Sequence, residues 1–77
     1  MTISQAVALR VDKLLKEKKM TQYRLSMESG VAQSSISEIR KCKNRAPNLY
    51  VITELALGFG ITVKEFFDDE VFENVID

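Results

Sequence analysis

The sequence predicts an all-α domain. Apolar residues recur at helical spacing through most of the 77 residues, and no sustained period-two alternation competes with it. Helix-starting residues (Thr2, Thr21, Asn48, Thr62) precede these runs, and Gly30 and Gly60 close two of them. A chain of this length, 45% apolar and 29% charged, is expected to form one small globular domain, without a deep substrate cavity. No internal repeat or linker divides it.

Thr2 and Gln5 have capping-box spacing, and Val7, Val11, Leu14 and Leu15 then make one stripe of a first helix. Lys16, Lys18 and Lys19 fall at its C-terminal end, where positive charge suits the helix dipole. Thr21 caps a second, short helix that runs to about Ser29 with Leu25 facing inward. Gly30 stops it, because glycine reaches the left-handed conformation of a sharp turn without a Cβ penalty. A third helix over residues 33–41 has only Ile36 and Ile39 as apolar positions, with Val31 plugging the turn before it. Most of its surface is therefore expected to be open.

Pro47 ends a basic loop, and Asn48 caps a fourth helix whose periodic residues Leu49, Ile52, Leu55, Ala56 and Phe59 predict the central core element. Gly58 in its last turn costs about 1 kcal/mol relative to alanine. Thr62 and Glu65 repeat the capping-box spacing at the start of a fifth helix carrying Val63, Phe66 and Phe67. The tail is acidic through Asp68, Asp69, Glu70, Glu73 and Asp77. Its Val71, Phe72, Val75 and Ile76 would share one face of a further helix, either folded onto the core or open to a partner.

A single Cys42 and no histidine leave disulfide, zinc and triad chemistry without their usual residues. No metal or cofactor is expected. Asp68 and Asp69 could hold magnesium, but nothing supplies a nucleophile or base beside them, so an enzyme is the least supported class. The absence of a long apolar run or a leader-like segment points to a cytoplasmic protein with no membrane contact. Zero net charge conceals a polarity: residues 1–45 carry ten of the eleven basic residues against four acids, a net of +6, and residues 46–77 carry −6. This asymmetry fits an anionic partner for the first part, or pairing of basic with acidic helices within the fold.

Two short helices joined at Gly30, the second polar and beside a basic loop, form the pattern of a helix-turn-helix. Thr21 to Ser26, Gly30-Val31, Ile36, Ile39, Pro47 and the Leu49 to Phe67 segment together resemble the phage-repressor and Cro helix-turn-helix family, also called XRE-type. The resemblance covers roughly residues 3 to 67. It implies a lambda-repressor-like DNA-binding domain of five short helices over residues 1–67, with 68–77 as an acidic tail that adds a helix or a dimer contact. Its implied function is a Cro/C1-type transcription regulator or repressor, binding a palindromic double-stranded DNA operator as a homodimer with residues 33–41 in the major groove. No small-molecule ligand is implied. The alternative is an antitoxin-like or anti-repressor interaction module that uses the tail.

Carried over to matching positions, the resemblance assigns Gln33, Ser34, Ser37 and Glu38 to base edges, where glutamine suits adenine and a carboxylate suits the cytosine amino group. Ser35, Lys41, Lys43, Asn44 and Arg45 correspond to DNA backbone contacts. Gln22 corresponds to a phosphate contact that also braces the recognition helix. Gln33 equally suits a helix cap, and Glu38 suits an ion pair with Lys41. Two departures carry expectations. Ser29 replaces the usual apolar residue before Gly30, predicting a second helix that packs loosely or frays. Arg40-Lys41-Cys42 replaces the family's Glu, Asn, Gly stop, predicting a longer third helix.

Overall fold

The computed structural model describes residues 1–76, so Asp77 of the acidic tail lies outside the described residues. Helices α1 (Ile3–Glu17), α2 (Gln22–Ser29), α3 (Gln33–Arg40), α4 (Leu49–Phe59) and α5 (Val63–Phe67) are followed by a 3-10 turn over Glu70–Asn74. Each predicted cap is formed. Gln5 donates its backbone N–H to Thr2 Oγ1 at 3.1 Å and its side chain accepts from Thr2 N. Thr62 and Glu65 make the same reciprocal pair. Thr21 and Asn48 accept from the third residue beyond them, at 3.0 and 2.9 Å. These local bonds satisfy amides that have no partner within the helix.

The ends of the first four helices share one left-handed geometry with different residues. Gly30 and Gly60 take positive φ, 78° and 76°, as expected of glycine. Lys19 and Cys42 do so as well, at 53° and 55°, although each carries a Cβ. At the end of α3, Cys42 N donates to Ile39 O and Lys43 N to Glu38 O, the paired bonds of a Schellman stop. The expectation of a longer third helix is thus corrected: α3 ends at Arg40, with Lys41 as its cap. Hydrogen bonding at the turn outweighs the left-handed penalty, about 1–2 kcal/mol for an L-residue.

One cluster of buried side chains joins the helices, among them Val7, Val11, Leu14, Leu25, Ile36, Ile52, Leu55 and Phe66. Leu49 is a correction, since it stands 69% exposed at the start of α4. Helix α2 approaches α4 closely at Ser29 and Gly58. A Cβ built on Gly58 would lie 2.6 Å from Ser29 Cβ and 3.0 Å from Ser29 Cα. Ser29 and Gly58 are therefore complementary small residues, and α2 runs through Ser29 without fraying, correcting that expectation. Ser29 Oγ also accepts from Val31 N, which fixes the turn.

The tail folds back as a 3-10 turn, not as the α-helical stripe expected from its spacing. Phe72 packs on Phe66 and Phe67, with ring centroids 6.2 and 5.0 Å away. Ile76 N donates to Met1 O, and the N-terminal ammonium donates to Asn74 O. Arg10 holds this corner from α1. It is only 7% exposed, and its guanidinium donates to Phe66 O at 2.7 Å, Glu65 O at 2.8 Å and Asp69 Oδ2 at 3.1 Å. Lys13 adds a second cation on Asp69 at 2.8 Å. Part of the charge asymmetry is thus consumed inside the fold.

The hydrogen bond from Lys13, then that from Val71 N, holds the Asp69 carboxyl below its ordinary range. Glu65 is lowered by the backbone N–H of Thr62. A carboxyl whose folded pKa is depressed stabilises the fold above its unfolded value, about 4, and loses that contribution as pH falls through the folded value. Acid titration followed by circular dichroism should therefore show stability falling below about pH 4. Asp69→Asn should be less stable at neutral pH and show a shallower decline. An identical acid profile for both proteins would contradict this role.

Candidate nucleic-acid interface

The candidate surface is built on α3. Ile36 is buried and Ile39 half-buried, which turns the opposite side outward. Gln33, Ser34, Ser35 and Glu38 are exposed there and Ser37 is half-buried. Gln33 is the first helical residue, whereas Ala32 occupies the cap position and offers no side-chain bond. The capping alternative for Gln33 is thereby removed.

The loop that follows lies beside this face. Lys41, Lys43, Asn44 and Arg45 are all exposed. Asn44 Nδ2 donates to Glu38 Oε2 at 3.1 Å, so the Glu38 carboxylate tethers the loop. No Glu38–Lys41 ion pair forms among the described residues, which corrects that alternative. Ser35, Glu38, Asn44 and Arg45 line one shallow cleft of about 190 Å³ with Ile39, Pro47 and Val51. The cleft thus brings the base-reading candidate Glu38 together with the backbone-contact candidates Ser35, Asn44 and Arg45, while Gln33, Ser34, Ser37, Lys41 and Lys43 lie outside it.

Electrostatics separate the basic residues into two groups. Arg10, Lys13, Arg24 and Arg40 are in ion pairs with Asp69, Asp69, Glu28 and Asp12. Among the described residues, Lys41, Lys43 and Arg45 beside α3 are in none, and neither are Lys16, Lys18 and Lys19 around the end of α1 or Lys64 in α5. The charge of the first three is left to the solvent beside α3.

A polar chain fixes where α3 points. Arg40 Nε donates to Asp12 Oδ1 of α1 at 2.6 Å, and Arg40 Nη1 donates to Gln22 Oε1 of α2 at 3.0 Å. Gln22 Nε2 in turn donates to the Gln33 carbonyl at 3.3 Å. Gln22 therefore engages both the first and the last residue of α3. Asp12 and Arg40 carry no sequence signal for this role beyond a basic residue in the last helical turn. Among the described residues, no group of three or more Cys, Asp or Glu side chains is placed to hold a metal ion.

The comparisons agree with this geometry. The family model for the Cro/C1-type HTH DNA-binding domain matches residues 10–71. Among solved structures, the wild-type restriction-modification controller protein C.Esp1396I is similar with a TM-score of 0.81 and 22% identity, over 95% of this chain and 92% of that one. A tyrosine-to-alanine mutant of the same controller protein gives a TM-score of 0.84 and 22% identity, over 96% and 99% of the two chains. Likeness at that identity establishes the fold. No curated protein gives a significant match.

Proposed function

Because the chain belongs to the Cro/C1-type helix-turn-helix DNA-binding domain family, we propose that it is a sequence-specific transcriptional regulator that reads double-stranded DNA with α3 in the major groove. The observation that carries this reading is the outward face of α3. Gln33, Ser34 and Glu38 stand open above a buried Ile36, beside three cations with no ion-pair partner among the described residues. A major groove admits an α-helix, and such side chains discriminate base edges.

In this reading Gln33, Ser34 and Ser37 read bases, and Glu38 reads a base from a position set by Asn44. Ser35, Lys41, Lys43, Asn44 and Arg45 fix the register on phosphates. Gln22 braces α3 and offers its remaining amide hydrogen to a phosphate. Residues 1–67 form the DNA-binding unit and the tail supports it through Phe72 and Asp69. The working unit is a homodimer, since one eight-residue helix reaches few base pairs and half-sites about 34 Å apart double the contacts. Among the described residues no helix is long and apolar enough to cross a membrane.

Two substitutions separate reading from positioning. Gln33→Ala should cost about 1–3 kcal/mol on the preferred site and relax preference at one base position. Lys43→Ala should weaken all duplexes alike and reduce the slope of log K against log salt by about one. Fluorescence anisotropy on matched and scrambled duplexes over a salt series measures both. Equal losses for the two variants on every duplex would contradict the assignment.

A further inference from the structure

We propose that the cleft between α3, the basic loop and the start of α4 is a subsite for the C5-methyl group of 5-methylcytosine, with Glu38 reading the amino group of the same base. The proposal rests on the DNA reading above and names a modified duplex as the ligand of that same site. It is carried by the chemistry of the lining.

The floor of the cleft is apolar. Ile39 comes from α3, Pro47 from the loop and Val51 from the first turn of α4, and all three are half-buried. Glu38 and Asn44 line the same cleft and are exposed. Asn44 Nδ2 donates to Glu38 Oε2 at 3.1 Å, which holds the carboxylate in place, and Glu38 Oε1 takes no protein donor among the described residues. One acceptor is thus left to a ligand. The cleft volume of about 190 Å³ is several times the roughly 30 Å³ that a water molecule occupies in the liquid, so a methyl group fits without displacing a side chain.

An acceptor beside an apolar wall calls for a donor beside a methyl group. On the major-groove edge, cytosine shows an amino donor without a methyl, and thymine shows a methyl beside O4, an acceptor that a carboxylate repels. Adenine shows a donor without a methyl, and guanine shows acceptors only. Methylation of cytosine at C5 sets a methyl next to the amino group and spares the amino hydrogen that faces the groove. Methylation on the amino nitrogen of cytosine or adenine replaces that hydrogen, because the other one is held in the base pair. Of these bases, 5-methylcytosine is the one that offers both features. The cleft is also continuous with the DNA-facing surface, since Ser35 and Arg45, given backbone roles above, line it too.

Fluorescence anisotropy on the duplex selected from a random pool tests the assignment, with 5-methylcytosine placed at one cytosine at a time. Wild type should bind about fourfold more tightly when the methyl is at one particular position of a half-site, the gain expected from burying one methyl group. N4-methylcytosine at that position should weaken binding. In Val51→Thr the ratio of methylated to unmethylated affinity should fall close to unity, because a hydroxyl then lines the floor. That ratio does not depend on how much of the variant is folded. Glu38→Gln should lose the discrimination of cytosine from thymine at the same position. The proposal is overturned if no cytosine responds to C5-methylation, if N4-methylation tightens binding, or if Glu38→Gln discriminates as wild type does. A gain equally large in Val51→Thr also overturns it, since the effect would then arise in the duplex itself. Selective binding without the methyl gain leaves the DNA reading standing, whereas a protein that holds no duplex at low salt removes both.

Discussion

Arg10→Ala is expected to cost about 3–5 kcal/mol of stability, the largest loss from any single substitution considered for this chain. The guanidinium is nearly buried and closes the C-terminal end of α5 through the carbonyls of Glu65 and Phe66 while pairing with Asp69. Removing it strands the Phe66 carbonyl, leaves the Glu65 carbonyl with the Asp68 N–H, and takes one cation from a carboxylate whose side chain is only 8% exposed. Lys13 remains on Asp69, which keeps the loss from growing further. For a domain of this size each kcal/mol shifts the midpoint by about 4–8 °C, so thermal denaturation should move down by more than about 12 °C. Arg10→Met separates the two contributions of the side chain. It retains most of the stem packing and should still lose most of the stability, because the fork of donors is what the α5 end requires. A melt within a few degrees of wild type for either variant would contradict the clamp.

Gly58→Leu should be nearly as damaging, at about 3 kcal/mol. Two effects oppose each other at this position. A residue other than glycine gains about 1 kcal/mol of helix propensity in α4. Against that, even the first side-chain carbon would come within 2.6 Å of Ser29 Cβ and 3.1 Å of a Leu25 methyl, and the neighbouring Ser29 Cα is backbone that cannot swing aside. The clash is larger, so α2 must move off α4. Since Gln22 at the start of α2 holds both ends of α3, that movement also disturbs the recognition helix. Gly58→Ala should show the same sign at about 1–2 kcal/mol, with the propensity gain offsetting part of the clash. Urea titration measures both, and an alanine variant more stable than wild type would show that the helix contact yields easily.

These two residues mark where sequence reasoning stops. The caps at Thr2, Thr21, Asn48 and Thr62 and the stops at Gly30 and Gly60 were legible because each bond spans at most five residues, and spacing alone encodes it. Arg10 meets its partners across 55 to 59 residues, and no periodicity announces such a contact. Gly58 reads locally as a weak spot in a helix and becomes necessary only when Ser29 is placed against it. Cys42 shows the converse: the left-handed stop survives without its glycine because two backbone bonds define it. The tail misled because helical spacing of Val71, Phe72, Val75 and Ile76 does not require a helix: the 3-10 turn ends at Asn74, Val75 is already extended, and Phe72 packs onto the Phe66–Phe67 pair.

The candidate interface divides in the same way. Its open face was visible in the scarcity of apolar residues between Gln33 and Lys41, since a helix with little to bury must show most of its surface. The orientation of that face was not. It depends on Asp12, Arg40 and Gln22, drawn from three helices across 18 and 28 residues. For Glu38, base reading and an ion pair with Lys41 both suit the sequence, and the loop instead brings Asn44 within 3.1 Å of its carboxylate, which removes the Lys41 alternative.

Selection of bound duplexes from a random-sequence pool addresses the central claim, that the outer face of α3 reads base edges. The account predicts enrichment of one sequence whose two halves are related by two-fold symmetry with centres about 34 Å apart, and a changed base at one position of each half when Gln33→Ala is selected in parallel. A pool that emerges unenriched, from a protein that retains no duplex even at low salt, would contradict it.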